Sequence, residues 1–167
     1  MAGQTKIAPN AASGIPVGRL KEAIGFHLRL AQEASFRAFA ERAGRAGAGL
    51  KPNRYAMLTI IQENPGLTQA ALGRASRREK STVTPALNEL VRNGLVKRRA
   101  SPADRRVQTL WLTAKGKRHL RELTRHAIAH NEFLIGLIGQ EHRDHLMELL
   151  CRIIRGCGDY TKCGKRY

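Results

Sequence analysis

Apolar residues recur along this chain at helical spacing, interrupted by a strand-like period in one stretch only. From Val17 to about Ala43, Leu20, Ile24, Leu28 and Ala31 form one stripe, while Phe26, Leu30 and Ala34 begin a second. Two stripes on one helix mean two packing surfaces, one for the chain's own core and one for a partner chain. Gly44, Gly47 and Gly49 end this helix. Pro52 suits the first turn of the next, because its missing N–H costs nothing there. Its apolar face is Tyr55, Leu58 and Ile61, with Met57 and Ile60 beside them, and Asn64-Pro65-Gly66 stops it. Thr68 is an N-cap for a short helix from Gln69 to Ala75, with Ala71 and Leu72 inward. Glu79 or Ser81 opens a further helix with Val83, Ala86, Leu87, Leu90 and Val91 inward, and Gly94 is its left-handed C-cap.

The period then becomes that of a strand. Val96 to Ala100 and Val107 to Leu112 are rich in β-formers and flank Ser101-Pro102-Ala103-Asp104, a turn sequence. Thr113 caps a long helix to about Leu137, with Leu120, Leu123, Ala127 and Leu134 in register. A last helix from Gln140 to Arg155 carries Leu146, Leu149, Leu150, Ile153 and Ile154. Residues 1–15 have no periodicity and read as a disordered arm, and 158–167 as a basic tail. Side by side, the helix after Glu79 and the hairpin look like a winged helix-turn-helix. Ser81, Thr82, Thr84, Pro85 and Asn88 lie on the exposed face of that helix. Small hydroxyls can touch phosphates or bases, Pro85 can meet a thymine methyl, and Asn88 can pair with adenine. Lys97, Arg98, Arg99, Arg105 and Arg106 make one basic blade on the hairpin, and Arg77, Arg78 and Lys80 add positive charge just before the helix.

Charge points the same way. The 167 residues carry a formal net charge of +17 and a sequence pI of about 11.0. Such an excess fits a polyanionic partner, since Lys and Arg gain by releasing counterions from phosphate. A hydrophobic share of 42% can still support a core. No run of 18 apolar residues and no basic-then-apolar N-terminus occurs, so the expectation is a cytoplasmic protein without membrane partners.

Between residues 50 and 118 the motifs are Leu50-Lys-Pro-Asn-Arg-Tyr-Ala-Met-Leu, Asn64-Pro-Gly-Leu-Thr-Gln-Ala-Ala-Leu, Glu79-Lys-Ser-Thr-Val, Leu90-Val-Arg-Asn-Gly-Leu-Val-Lys-Arg, Asp104-Arg-Arg and Leu110-Trp-Leu-Thr-Ala-Lys-Gly. In that order and spacing they resemble the multiple-antibiotic-resistance regulator (MarR) family, whose pattern often has Asp where Glu79 stands. The resemblance implies a mostly α fold with a small β-hairpin wing. A single domain over 16–157 would hold a winged helix-turn-helix at 50–113 and dimerisation helices at 16–47 and 114–157. It implies an obligate homodimer on a pseudo-palindromic operator in double-stranded DNA. It implies that Asp104 braces the wing tip and that Arg106 enters the minor groove. It also implies repression relieved by a small molecule, often aromatic.

That effector is read here as an anionic aromatic compound or its coenzyme A (CoA) thioester. Its expected site is a cleft of Phe26, His27, Leu30 and Tyr55, with Arg37, Arg29 and Arg45 attracting a carboxylate or phosphate. Alternatives are a redox-sensing regulator and a ligand-independent DNA-organising protein. His126 and His130 have zinc-ligand spacing but lack a nearby acidic or Cys ligand, and His142 and His145 are read the same way, so no metal or cofactor is expected. Neither a phosphate-binding GxxxxGK[ST] nor a GxSxG elbow is present, so no enzyme is expected. Cys151, Cys157 and Cys163 match neither a disulfide framework nor a zinc pattern, and Cys151 and Cys157 are read as buried free thiols.

Overall fold

The computed structural model describes residues 16–43 and 52–157. The helices are α1 (Ile24–Ala43), α2 (Pro52–Glu63), α3 (Gln69–Ser76), α4 (Lys80–Arg92), α5 (Ala114–Ile138) and α6 (Arg143–Gly156). Between α4 and α5, β1 (Val96–Ala100) and β2 (Gln108–Leu112) pair antiparallel, with Val96 opposite Leu112 and Ala100 opposite Gln108. The expected arm, the basic tail, the glycine-rich stretch after α1 and Arg45 all lie outside the described residues.

One core holds the reading unit together. Met57, Leu58 and Ile61 from α2, Leu72 from α3, and Val83, Leu87 and Leu90 from α4 are buried with Leu95, Val96 and Leu110. Leu120 and Leu123 from α5 and Phe39 from α1 close it. The sequence pattern had put most of these side chains inward, and burial of each large aliphatic stabilises by about 1.5–3 kcal/mol. α4 ends as its Gly94 predicted, with one shift: Asn93 is the cap and Gly94, at φ +68, follows it. The Gly94 and Leu95 amides donate to the Val91 and Leu90 carbonyls, each at 2.9 Å.

Three expectations need correction. The helix expected from Val17 is broken at Ala23, which is extended, so a 3-10 turn over Gly18–Glu22 precedes α1. His27 Nε2 donates to the Lys21 carbonyl at 2.8 Å and ties that turn to α1. The last helix also begins with a 3-10 turn, Gln140–His142, and only then becomes α6. Finally, the thiols are not buried: Cys151 is half-buried and Cys157 exposed. The reason is that α6 has no buried residue at all in a single chain. Leu146, Met147, Leu149 and Ile154 stand open along it. So do Ile24 (70% exposed) and Leu137 (66%) at the ends of α1 and α5. Among the described residues no helix is long and apolar enough to cross a membrane.

α1 lies against α5, and a buried histidine marks their contact. His130 Nε2 is 3.0 Å from the Ser35 hydroxyl, and Phe39 meets the imidazole edge-on at 5.3 Å. Burial, and then the positive charge of Arg42, push the His130 pKa below its ordinary 6.5. Arg42 itself stacks over Phe133 at 3.6 Å.

Candidate nucleic-acid interface

The two helices of the helix-turn-helix are joined by a strained turn. Thr68 caps α3, its hydroxyl accepting from the Ala71 amide at 3.2 Å. α3 ends through Arg77, which is in the left-handed region at φ +51. The Arg77 and Arg78 amides donate to the Arg74 and Gly73 carbonyls at 3.2 and 3.0 Å. This is a C-terminal closure in which glycine is the usual residue, and a side chain there costs about 1–2 kcal/mol.

α4 then presents a divided surface. Val83, Leu87 and Leu90 point into the core, while Lys80, Ser81, Thr82, Pro85 and Asn88 are exposed. Thr84 is half-buried, and its oxygen accepts from Gln69 Nε2 at 2.7 Å. Gln69 therefore positions one residue of the reading face from the preceding helix. Pro85 has no N–H, which leaves the Ser81 carbonyl without its usual helical donor. Glu79 is the N-cap residue, yet its carboxylate makes no cap bond and instead accepts from Ser81 Oγ at 3.4 Å. Arg77 is exposed, Arg78 is half-buried, and with Lys80 they surround this helix start. Cations at a helix N-terminus oppose its dipole, an arrangement that an anion such as a phosphate would relieve.

The wing is braced at its tip and at its base. At the tip, Asp104 Oδ1 accepts from the Arg106 amide at 2.9 Å, and the Val107 amide donates to the Asp104 carbonyl at 2.9 Å. The Ser101 amide closes the loop onto the Val107 carbonyl at 2.8 Å. At the base, the Gly66 and Leu110 backbones run beside each other. Gly66 N–H donates to the Leu110 carbonyl at 3.0 Å, and Leu110 N–H donates to the Leu67 carbonyl at 2.9 Å. Gly66 is at φ +88, and a β-carbon there would lie 3.1 Å from the Trp111 ring. A side chain at residue 66 would crowd the Trp111 ring and would also have to adopt a positive φ, which glycine does without strain.

Strand alternation splits what sequence alone reads as a single blade. Arg99 reaches 5.7 Å over the Trp111 ring, on one side of the hairpin. Arg98, on the other side, donates from Nη2 to Asn88 Oδ1 at 2.8 Å. Arg105 and Arg106 lie at the tip and are exposed. Asn88 thus links the helix to the wing and keeps its amide N–H groups for another partner. Arg54 ion-pairs with Glu89 and ties α2 to the same helix. The Gln69–Thr84, Asn88–Arg98 and Arg54–Glu89 pairs join residues 10 or more positions apart and had no signal in the sequence.

The expected effector residues do not share one wall. Tyr55 lines a cleft of about 890 Å³ between α2 and α5, and none of Phe26, His27, Leu30 or Arg37 is among its walls. On α1, Phe26 packs edge-on against His27 at 5.9 Å and under Arg29 at 5.3 Å. Leu30 is half-buried and Arg37 exposed. Among the described residues no three His, Cys, Asp or Glu side chains group as metal ligands.

Comparison with known proteins bears on the same region. The pattern that defines the MarR family matches residues 50–107. A candidate regulatory protein for the hcr operon of Thauera aromatica is 35% identical over 138 residues, covering 83% of this chain and 82% of that one. Transcriptional regulator HosA of Escherichia coli O111:H- is 31% identical over 60% of this chain and 75% of its own length. Among solved structures, the transcriptional repressor CouR bound to a 23-mer DNA duplex is similar with a TM-score of 0.76 and 31% identity. The match covers 85% of this chain and 99% of that one. CouR bound to p-coumaroyl-CoA is similar with the same TM-score and 29% identity, over 84% and 98%.

Proposed function

The chain belongs to the MarR family of DNA-binding transcriptional regulators, and on that premise we propose that it is a homodimeric repressor released from its operator by a small anionic aromatic compound or its CoA thioester. The observation that carries this reading is a division of surfaces. The polar face of α4 and the arginines of the wing lie around one end of a fixed core. The apolar side chains of α6 and the ends of α1 and α5 are left without cover. Exposed apolar area of this kind marks a protein interface. A second copy covering it would bring two reading helices to successive turns of one duplex.

In this reading α4 enters the major groove. Ser81, Thr82 and Pro85 face the bases and backbone, and the free amide of Asn88 reaches a base edge. Arg77, Arg78, Lys80, Arg98, Arg99 and Arg105 contact phosphates, and Arg106, held by the Asp104 turn, enters the minor groove. Release by a CoA thioester is supported by CouR, which is similar over nearly its whole length and has been solved with p-coumaroyl-CoA and with DNA.

Selection of bound sequences from random duplexes, followed by footprinting, tests the DNA half. The expected site has two-fold symmetry, with half-sites about 10 bp apart centre to centre. A single asymmetric half-site would count against a dimer. Gel-shift titration with p-coumarate and with p-coumaroyl-CoA tests the effector half, and indifference to both removes support for this effector class.

A further inference from the structure

We infer that the outer face of the first half of α5 is a second DNA-docking surface, separate from α4 and the wing. It takes the sugar-phosphate backbone of a further duplex segment without regard to sequence. The inference goes beyond operator reading, and it rests on the assignment of α4 and the wing to the operator.

Residues 114–126 of α5 hold Lys115, Lys117, Arg118, Arg121 and Arg125 against a single acid, Glu122. Lys115 is used inside the fold, where its Nζ donates to the Asn93 carbonyl at 3.0 Å. Lys117, Arg118, Arg121 and Arg125 are exposed. Among the described residues none of these four makes a hydrogen bond or ion pair through its side chain. Arginines on the neighbouring helices differ. Arg29 pairs with Glu33 at 2.7 Å on α1, and Arg152 with Glu148 at 2.6 Å on α6. Lys117, Arg121 and Arg125 instead follow one another at four-residue spacing, where like charges repel and destabilise a helix. The first turn of α5 has no acidic residue, so the helix dipole opposes the cations there. Glu63 and Glu122 border the surface, and Glu122 faces His119 at 4.0 Å. A polyanion laid along α5 relieves both the repulsion and the opposed dipole.

This surface stands apart from the operator side. α4 turns Val83, Leu87 and Leu90 into the core and Ser81, Thr82, Pro85 and Asn88 out of it. α5 enters the same core with Leu120 and Leu123, and it packs on α1, α2 and β2. The residues that share a surface with the four cations come from α2 and α5, with none from α4 or the wing. α5 starts at the C-terminal end of α4, about 18 Å along that helix from Lys80. A duplex read by the start of α4 therefore leaves the α5 cations open. The uncovered apolar side chains also lie elsewhere, on α6 and at Ile128 and Leu137 in the second half of α5, so the interface they mark does not need these cations. From Lys117 to Arg125 the row runs about 12 Å, over which the two strands of a duplex carry about seven phosphates. A linear, exposed row matches a repeating backbone better than one compact anion, and contacts to phosphate alone carry no sequence preference.

Capture of two duplexes by the full chain tests the inference. A duplex carrying the selected operator is immobilised and saturated with chain, free chain is washed away, and a labelled duplex of scrambled sequence is offered. Wild-type chain should hold the labelled duplex, less so as salt rises. The R118Q/R121Q/R125Q variant should hold about fivefold less or lower, with operator affinity within about twofold of wild type. R118K/R121K/R125K should hold as much as wild type, because backbone docking needs the charge and not the guanidinium fork. Losing like-charge repulsion should leave the melting temperature of R118Q/R121Q/R125Q unchanged or raised at low salt, which separates lost capture from lost fold. A second titration needs no operator. In a chain already weakened at the reading surface by K80Q/R105Q/R106Q, the scrambled duplex should still bind, and adding R118Q/R121Q/R125Q should cost about fivefold or more. A chain that selects no operator yet shows this loss would fail the reading of α4 and leave the α5 surface standing. Equal capture by wild type and R118Q/R121Q/R125Q overturns the inference. So does an equal loss of operator affinity, which would put the cations on the operator's own duplex. Displacement of the labelled duplex by stoichiometric pyrophosphate would show a compact anion site, and a shift to monomer in sedimentation would put the cations between copies. Either result also overturns it.

Discussion

At the scale of single residues, two side chains carry consequences beyond their own contacts. Asn88 spends its oxygen on Arg98 and can spend only its N–H groups on a base. Asn88→Ala should therefore weaken specific DNA binding twice over, by losing a base contact and by freeing Arg98. A hydrogen bond to a charged group contributes about 1.5–3 kcal/mol. In a double-mutant cycle, Asn88→Ala and Arg98→Ala should be non-additive by about 1 kcal/mol or more. Strict additivity would mean that the two act separately. His130 is the second. Its folded pKa is depressed, so the unfolded chain binds more protons as pH falls. The stability it contributes is complete above its unfolded value of 6.5 and is lost progressively as pH drops below that towards the folded value. His130→Gln can keep the Ser35 contact but cannot titrate. Between pH 7 and about 5 its melting temperature should fall less than that of the wild type. Parallel curves would remove His130 as the source.

At the scale of elements, the wing is a braced hairpin rather than a loose basic loop. Asp104 accepts from the Arg106 backbone, while Trp111 seats the base against Gly66. Arg106→Ala should weaken specific binding more than Arg99→Ala, whose guanidinium lies over the Trp111 ring. Asp104→Ala adds to the net positive charge, and simple electrostatics predicts tighter binding. The loss of the brace predicts weaker specific binding instead, by about 1 kcal/mol. Affinities at several salt concentrations separate the two. If Asp104→Ala binds more tightly at every salt, the wing acts only through its charge.

At the scale of the molecule, α6 is the element that a single chain leaves uncovered. It buries no residue, and its leucines and isoleucines face outward or lie half-covered. Replacing Leu149 and Ile153 with Asp should give monomeric or unfolded chain with no operator binding, because charge would be buried in the interface. A stable monomer that binds the operator with wild-type affinity in sedimentation and gel-shift assays would defeat the dimer.

Much of this was legible in the sequence because it rests on local physics. The helical stripes of α2, α4 and α5, the caps Thr68 and Thr113, and the hairpin with its turn follow from periodicity and from residues within a few positions of one another. The polar face of α4 and the arginines of the wing follow from the same patterns. What tertiary structure alone decided involves partners distant in the chain or conformations that residue type disfavours. The left-handed Arg77 gives no sequence signal, because glycine is the residue that normally announces such a turn. The break at Ala23 interrupts a stripe that periodicity carries straight through. The links from Gln69 to Thr84 and from Asn88 to Arg98 depend on how helix and hairpin pack. The cleft that Tyr55 shares with residues of α5 is set by the same packing. A sequence shows which face of a helix is polar, but only the fold determines what that face meets.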